Sequence, residues 1–396
     1  MPIIDKEGDI DMKKLASVLL LLVLVVCIAF TAAACNQKSD DGGSQVVEYG
    51  EEAYQKLQYI DKALRDRDSI GGKDFKTAQR WIEWTLWNAG YEKSDITFQP
   101  FSFTEYVNVP EGETPAQQLS AAKSYTTDNK KYSRQGWSYV EDADGTYVKA
   151  EIVSENIVVT KKGNTDKQII VGAHYDGTGT GDNGSGIALA LTIAEQIASL
   201  DTEYTIVFVF FSAEEIGLYG STYYAENMTD SEVANTLYMI NLDSLASGDY
   251  CYLYGGIQNN EKKTVEKTEA YDNAMAVAAE LGLSFKSNPW TWDNMSPDDK
   301  ESGAENPSYA SPSTGNWSDH AGFAEQGIPY LYFEATNWEI PDYTGYGESY
   351  IAGMIMNTDN DYLEYIEKYY PGRPLAHLTD FSALLYALVT QTDYAY

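Results

Sequence analysis

The sequence predicts an α/β fold in which a mainly parallel β-sheet lies between helices. Short apolar runs without polar alternation recur along the chain, which is typical of strands that are buried on both faces. Segments with helical spacing separate these runs, so neighbouring strands are expected to pair in parallel through helical crossovers. With 396 residues, of which 43% are hydrophobic, the chain can bury a core large enough to hold such a sheet.

Two helices are expected to open the folded part. Leu57, Ile60 and Leu64 recur at helical spacing, and a second periodic segment stops at Gly90. A polar, tyrosine-rich insertion that includes strands is expected at residues 101–147. Alternating elements follow this insertion. Buried strands are predicted at residues 156–159, 168–173, 205–211, 237–242 and 328–333, and helices at residues 187–200, 221–226, 272–281 and 375–389.

A second insertion at residues 287–315 is rich in Pro, Ser, Asp and Gly, and it is predicted to be a loop. The sequence has no internal repeat and no sign of a second core, so we expect one domain at residues 46–396. Cys251 is the one cysteine of this domain, which therefore cannot contain an internal disulfide. Its strand-like neighbours predict that Cys251 is a small buried hydrophobe rather than a nucleophile.

Residues 1–34 are expected to be an export signal. Residues 15–34 are uncharged and mostly apolar and follow two lysines, although a run of this length could also remain as a membrane anchor. Three alanines before Cys35 resemble the lipobox of bacterial lipoproteins, which implies that Cys35 is the lipidated N-terminus of a protein held outside the cytoplasm. Residues 35–45 have the composition of a flexible tether. Because the segment before Met12 is acidic, translation is expected to start at Met12.

The charge balance limits the classes of partner. The chain has 27 Lys and Arg residues against 60 Asp and Glu residues, a formal net charge of −33. Such a chain gains nothing from counterion release on nucleic acid and is repelled by an anionic lipid surface. We therefore expect no nucleic-acid partner and contact with the membrane only through the lipid anchor. The oligomeric state is not predicted.

Side chains that bind metals follow three of the predicted strands. His174 follows the second strand, Glu214 and Glu215 follow the third, and Asp243 follows the fourth. In an open parallel sheet, ligands gather beyond the carboxyl ends of the strands, so these side chains are expected to meet at one edge. Carboxylate oxygens with neutral imidazole and no thiolate suit Zn²⁺, with Mn²⁺ or Co²⁺ as alternatives.

Neighbouring carboxylates suggest further roles at this edge. Asp182 is placed to bridge two ions if a second metal binds. One member of the pair Glu214 and Glu215 can bind metal, while the other accepts a proton from a metal-bound water and delivers it to a leaving amine. Asp176 lies two residues after His174, where it can orient the imidazole by accepting its second N–H.

Six stretches in order carry a family resemblance: residues 172–176, 182–186, 211–217, 241–243, 318–323 and 327–329. They resemble the M28 family of zinc peptidases, the bacterial aminopeptidases with a two-metal site. The resemblance implies that His174 and Asp243 bind one zinc, that Glu215 helps to bind the other, and that Asp182 bridges the two. Glu214 would be the general base. The resemblance also implies a mixed, mainly parallel sheet of about eight strands, and extracellular peptides as substrates.

The sequence departs from the family at the last ligand. That ligand is usually a histidine before a threonine, whereas this chain has Asn357 before Thr358. An amide oxygen binds zinc more weakly than imidazole does, so the second site is expected to be weak, empty or completed by His320. One or two zinc ions per chain are therefore expected. Asp319 is expected to be an outer partner or a helix cap, and His377 a structural residue.

Two other functions remain as alternatives. A glutaminyl cyclase shares this architecture and uses one zinc for an intramolecular attack. A non-catalytic binding lipoprotein on a peptidase scaffold is the third possibility, because a chain can keep a fold after losing its ligands. The metal content and the activity of the purified protein distinguish the three.

Overall fold

The computed structural model describes residues 49–69, 72–108, 114, 116–117, 138–142, 145–340 and 349–394. The predicted export signal, Cys35 and the tether lie outside these residues, as does much of the insertion predicted at 101–147. Within the described part of the chain, no helix combines the length and the apolar character needed to cross a membrane.

Eight strands form one mixed sheet, in the order β1-β3-β5-β4-β6-β10-β7 with β2 paired to β3. The central strands β5, β4, β6 and β10 are mutually parallel, and the flanking strands pair antiparallel. The predicted fold class and strand number are confirmed. The sheet strands are β1 (Ile96–Asn108), β2 (Ser138–Asp142), β3 (Gly145–Lys161), β4 (Gln168–His174), β5 (Thr205–Phe211), β6 (Thr236–Leu242), β7 (Tyr250–Gly255) and β10 (Tyr330–Thr336).

Helices cover both faces of the sheet. One face packs against α1, α2, α3 and α10 in the largest core cluster, and the other packs against α4 and α8 around Phe211 and Phe323. The helices are α1 (Gly50–Ala63), α2 (Phe75–Ala89), α3 (Gly184–Ile197), α4 (Tyr219–Glu226), α5 (Asp230–Asn235), α6 (Glu269–Glu280), α7 (Pro297–Ser302), α8 (His320–Glu325), α9 (Leu363–Tyr369) and α10 (Arg373–Thr390).

Helix α3 lies at the centre of this packing and directly follows the loop that carries Asp182. It is buried along nearly its whole length, so its apolar character on every side matches its surroundings. The helix starts at Gly184, three residues before the predicted start at residue 187, because the Asn183 side chain accepts a hydrogen bond from the backbone N–H of Gly186 at 2.9 Å. The cap therefore fixes where the loop ends.

Three features differ from the sequence prediction. β3 pairs antiparallel with β5, since no helix separates β3 from β4 to provide a crossover. The loop predicted at 287–315 contains α7, where Ser296 caps the helix and Pro297 occupies its first turn. A separate hairpin of β8 (Ile257–Asn259) and β9 (Thr264–Glu266) was not predicted. None of the three alters the parallel centre of the sheet.

Candidate metal centre

His174 is the last residue of β4, and its ring is fully buried. Three carboxylates converge on Nε2, whose distances are 3.1 Å to Asp182 Oδ1, 3.4 Å to Asp243 Oδ1 and 3.8 Å to Glu214 Oε2. On the other side of the ring, Asp176 Oδ1 lies 3.6 Å from Nδ1. The strand end therefore places one imidazole at the focus of side chains that come from four separate positions in the sequence.

Asp182 is held by backbone contacts of the loop between β4 and α3. The carboxylate of Asp361 accepts hydrogen bonds from the backbone N–H groups of Gly181 at 2.7 Å and Asp182 at 2.9 Å. Arg67, which is fully buried, donates to the carbonyl of Gly179 at 2.8 Å in the same loop. These contacts fix the loop, and thereby the position of the Asp182 carboxylate opposite His174.

A tight turn precedes Glu214 and Glu215 after β5, and the two residues make different contacts. Ala213 has a φ of 60°, so the chain reverses immediately before the two glutamates. The backbone N–H of Glu214 donates to Asp176 Oδ1 at 3.2 Å. A Cβ at Gly177 would lie 2.2 Å from Glu215 Oε1, so a glycine at this position allows Glu215 to lie against the neighbouring loop.

Asp243 follows β6 and is fixed by two hydroxyl groups. Ser318 Oγ donates to Oδ2 at 2.6 Å, and Ser244 Oγ donates to Oδ1 at 3.2 Å. Although burial opposes ionisation, the nearby His174 and these hydrogen bonds lower the pKa of Asp243. Burial raises the pKa of Glu214 well above its usual value, and the charge of Asp243 adds to this shift. The two carboxyl groups thus differ in proton affinity.

The donor set fits a bound cation. Both nitrogens of His174 and Oδ1 of Asp182 are buried without a hydrogen-bond partner, a costly arrangement for polar atoms. Although burial favours neutral imidazole, the charges of Glu214 and Asp243 raise the pKa of His174 well above its usual value. The pocket therefore demands positive charge, which a metal ion supplies. Two groups of residues each offer potential ligand atoms that lie within 4.8 Å of one another. One group is His174, Glu214 and Asp243, and the other is His174, Asp182 and Glu215.

Asn357 and His320, the two candidates for a further metal ligand, have different surroundings. Asn357 lines a cavity of about 210 Å³ together with Asp182 and Glu215, on the side of the centre where a second ion would bind. His320 belongs to neither group of potential ligands among the described residues. Its ring lies against Tyr330 and Tyr332, its Nε2 is 2.9 Å from the carbonyl oxygen of Gly315, and burial lowers its pKa to about 4.

The remaining predicted residues lie as follows. Asp319 precedes α8, makes no side-chain cap hydrogen bond, and is buried near the centre, where burial raises its pKa to about 7. His377 is buried in α10, away from both groups of potential ligands. Cys251 in β7 is 6% exposed, and burial raises the pKa of its thiol, which confirms the prediction of a buried and unreactive cysteine.

A cavity of about 380 Å³ opens onto the centre. Its wall includes Glu214 and Asp243 together with Trp317, Tyr332 and Glu334. A substrate residue placed in this cavity would therefore contact both the metal ligands and a wall of aromatic side chains.

Arg67, Asp361 and Glu334 contribute to the centre or its cavity and were not singled out from the sequence. Their positions depend on contacts with residues more than 75 positions away in the chain. No local periodicity or strand-end rule identifies such contacts. The buried arginine in particular follows α1 in a segment that shows no helical spacing.

Comparisons of the sequence with known proteins point to one family. The profile of Peptidase family M28 matches residues 156–350, a range that ends before Asn357. Alkaline phosphatase isozyme conversion protein of Escherichia coli (strain K12) is 28% identical over 313 residues, which cover 70% of this chain and 84% of that protein. Aminopeptidase Y of Saccharomyces cerevisiae is 35% identical over 115 residues, which cover 28% of this chain and 21% of that protein. The match thus spans about a fifth of this second relative.

Solved structures share the fold over most of the chain. A zinc aminopeptidase from Bacillus subtilis aligns with a TM-score of 0.55 and 16% identity, covering 88% of this chain and 97% of that chain. A glutaminyl cyclase from an Acidobacteriales bacterium aligns with a TM-score of 0.51 and 18% identity, covering 90% of this chain and 100% of that chain. At these identities the likeness shows the fold alone.

Proposed function

Because residues 156–350 of the chain belong to peptidase family M28, we propose that the protein is a zinc-dependent exopeptidase that removes N-terminal residues from peptides. The observation that carries this proposal is the convergence of three carboxylates on Nε2 of His174, at 3.1 to 3.8 Å, in a pocket where, among the described residues, no lysine or arginine forms an ion pair with any of the three. A structural ion pair would need one carboxylate for the imidazole, whereas a metal centre needs several.

His174 and Asp243 would hold the first ion, and Asp182 would contribute its carboxylate to both ions if a second one binds. When bound, zinc supplies Lewis acidity that polarises the scissile carbonyl and acidifies water. Glu214 would accept a proton from the attacking water and deliver it to the leaving amine. Burial raises the pKa of this carboxyl group, and its Oε2 lies 3.8 Å from His174 Nε2. Asp176 accepts a hydrogen bond from the backbone N–H of Glu214, and its Oδ1 lies 3.6 Å from Nδ1 of His174 without a hydrogen bond, so the contact with the imidazole is electrostatic.

The proposal leaves the occupancy of a second metal site open. Glu215 and Asp182 face the smaller cavity together with Asn357, whose amide is a weak ligand. We expect one tightly bound zinc and a second site of lower affinity. Manganese or cobalt would substitute in the same oxygen and imidazole ligand set.

The direct test uses purified residues 36–396 and aminoacyl-anilide substrates. Activity should disappear with a chelator and return with Zn²⁺. Glu214→Gln should keep its zinc and lose about 10²-fold or more in kcat, since proton transfer contributes on this scale. Glu226→Gln is the matched control, because this carboxylate is exposed at the end of α4 and should leave kcat unchanged. Full activity in Glu214→Gln would contradict the proposed role of this residue.

A glutaminyl cyclase is the second candidate, because one such enzyme shares this fold over 90% of the chain. An amide at Asn357 in place of a histidine ligand would weaken the single zinc site of a cyclase too. Cyclisation of N-terminal glutamine at about one zinc per chain, without anilide hydrolysis, would favour the cyclase. Protein that is folded, free of metal and inactive in both assays would instead favour a binding lipoprotein.

We also propose that the protein is exported and anchored by a lipid at Cys35. The apolar run at residues 15–34 and the alanines before Cys35 support this proposal. Metabolic labelling with a fatty acid should mark the wild-type protein and not Cys35→Ser. Labelling of Cys35→Ser to the same extent, or recovery of wild-type protein in the cytoplasm with residues 1–34 attached, would contradict it.

A further inference from the structure

Glu334 is a buried carboxylate in a layer of aromatic side chains. Along β10, Leu331, Phe333 and Ala335 enter the main core, whereas Glu334 lies on the opposite face, two residues from Tyr332. Glu334 is 3% exposed and is paired in register with Tyr252 of β7. It is the acidic member of a face that otherwise carries tyrosines. The aromatic neighbours on this side of β7 and β10 are Tyr252, Tyr254, Tyr309, Tyr330, Tyr332 and Trp338.

A hydrogen-bond chain holds Glu334 as an acceptor. Trp338 Nε1 donates to the hydroxyl oxygen of Tyr254 at 2.7 Å, and this hydroxyl donates to Glu334 Oε2 at 2.7 Å. Since indole can only donate, the proton of the Tyr254 hydroxyl is directed to the carboxylate. Among the described residues, no lysine, arginine or histidine forms an ion pair with Glu334. A buried carboxylate without a cation is costly unless a ligand supplies one.

Glu334 faces the cavity that contains the metal centre. It lines the 380 Å³ cavity together with Glu214, Trp317 and Tyr332, yet it belongs to neither group of potential metal ligands. Trp317 is 40% exposed, so its ring is available to a ligand. An aromatic wall with a carboxylate behind it is the arrangement that attracts an ammonium or guanidinium group.

We propose that this cavity receives the side chain of the substrate's first residue and that Glu334 selects a cationic side chain, lysine or arginine. The inference rests on the proposed aminopeptidase function and names its substrate class. Because the α-ammonium group must stay beside the scissile bond, the side chain is the part of the first residue that can reach a carboxylate outside the two groups of potential metal ligands. The net charge of −33 favours the approach of such cationic peptides.

The test compares two substrates of equal length that differ in one charge, lysyl- and norleucyl-aminomethylcoumarin. The wild-type holoenzyme should prefer the lysyl substrate by at least about 10-fold in kcat/KM. Glu334→Gln should lower kcat/KM for the lysyl substrate by about 30-fold and for the norleucyl substrate by less than threefold, the scale of one charged hydrogen bond. Equal kcat/KM values in the wild type would overturn the proposal.

A matched control separates the local contact from the general loss of charge. Glu339 lies five residues further along and is exposed, and it pairs with Lys286 outside the cavity. Glu339→Gln should leave the ratio of the two substrates unchanged. If Glu334→Gln lowered kcat/KM for both substrates in parallel, Glu334 would act on the α-ammonium group or on the fold, and the proposed selection of a side chain would be wrong.

A binding measurement keeps this inference distinct from the proposed function. Calorimetry with L-lysinol and L-norleucinol, which carry no scissile bond, should show at least about 10-fold tighter binding of lysinol to the zinc-loaded wild-type protein. This comparison uses only the wild-type protein, so it can be made even if Glu334→Gln fails to fold. Tight lysinol binding without peptide hydrolysis would contradict the peptidase assignment alone, whereas hydrolysis with equal binding of the two alcohols would contradict the cation pocket alone.

Discussion

At the scale of single residues, Asp361 shows how an outer carboxylate can fix a ligand. Its two oxygens accept separate backbone hydrogen bonds, from Gly181 at 2.7 Å and from Asp182 at 2.9 Å, and the side chain is 3% exposed. The carboxylate therefore fixes the backbone of Asp182, the residue proposed to serve both ions. Such supporting groups govern metal affinity almost as strongly as the ligands do.

Asp361→Asn should weaken zinc binding by roughly 10- to 100-fold. An amide presents one oxygen and one NH₂ group, so one of the two backbone N–H groups would face another donor. Competition with a chromophoric chelator measures the affinity. Asp201→Asn, an exposed change in the loop before β5 and outside both cavities, should alter the affinity by less than threefold. Equal affinities for Asp361→Asn and the wild type would show that the loop holds Asp182 without this contact.

A substitution of Asn357 tests how many zinc ions the protein binds. It has a φ of 57°, a left-handed conformation in which asparagine and histidine are both enriched. Asn357→His therefore fits the backbone and offers an imidazole to the cavity shared with Asp182 and Glu215. The zinc content after dialysis should rise from about one ion per chain to about two. Thr358→His, with its imidazole one residue away, should not raise it. An unchanged content in Asn357→His would place the second site elsewhere.

His377 makes a separate contribution to the pH dependence of stability. Burial, and then the charge of Arg373, lower the pKa of His377 from 6.5 to about 3. The unfolded chain takes up a proton below pH 6.5 and the folded chain does so only near pH 3. His377 therefore removes stability as the pH falls between these values.

His377→Gln should lose about 2 kcal/mol less free energy of unfolding than the wild type between pH 8 and pH 5. Urea denaturation at both pH values gives this difference. At pH 8 the imidazole is neutral in both states, so the comparison there measures the packing cost of the substitution alone. Parallel losses in the two proteins would show that His377 is protonated in the folded state.

The convergence of His174, Glu214 and Asp243 could be predicted from the sequence because each lies at the carboxyl end of a buried strand, and strand ends converge. Asp182 joins them from the loop that follows β4. Glu334 was not predicted, because it lies within a strand, where one carboxylate among tyrosines resembles an ordinary solvent-facing residue. Its burial becomes clear only once the aromatic residues of β7 pack against it.

At the scale of elements, Arg67 joins the segment after α1 to the loop that carries Asp182. Its guanidinium donates to the carbonyl oxygens of Leu64 at 2.7 Å, Tyr175 at 3.2 Å and Gly179 at 2.8 Å. Three acceptors from two segments match the planar fork of an arginine, and the nearby Asp176 and Asp361 stabilise its charge. The metal centre thus depends on a contact with the first helical hairpin.

Arg67→Lys should lower the free energy of unfolding by about 3 kcal/mol, because one ammonium group cannot reach all three carbonyls and the rest stay buried and unpaired. Chemical denaturation measures this loss. Arg65→Lys, at an exposed arginine over the ring of Tyr362, should change stability by less than about 0.5 kcal/mol. A loss of similar size in both variants would mean that Arg67 acts through its charge alone.

The long helices could be predicted from their helical spacing and the parallel strands from apolar runs without polar alternation, whereas the short helices α5, α7 and α9 were not predicted. The antiparallel edges could not be predicted as securely, since pairing direction depends on the connection and not on the strand. β3 reaches its antiparallel place beside β5 with β4 lying beyond β5, an arrangement that the apolar run at residues 156–159 does not encode. Helix α3 starts three residues earlier than predicted because the side chain of Asn183 caps it.

At the scale of the whole molecule, the recognition of the M28 family from its sequence motifs is confirmed by the match to residues 156–350. The sheet between two helix layers brings four strand ends to one rim, where several buried carboxylates gather. The placement of Asp176, Asp182 and Asp243 around one imidazole makes this rim a favourable site for a cation. Fold, charge and proposed function therefore depend on the same centre.

Anomalous X-ray diffraction at the zinc absorption edge, from crystals of the zinc-loaded protein, tests this centre most directly. The predicted result is a strong anomalous peak within bonding distance of His174 Nε2, Asp182 and Asp243, with a weaker peak or none beside Glu215 and Asn357. Zinc bound elsewhere, or no peak beside His174 in protein shown to contain zinc, would contradict the assignment of these side chains as metal ligands.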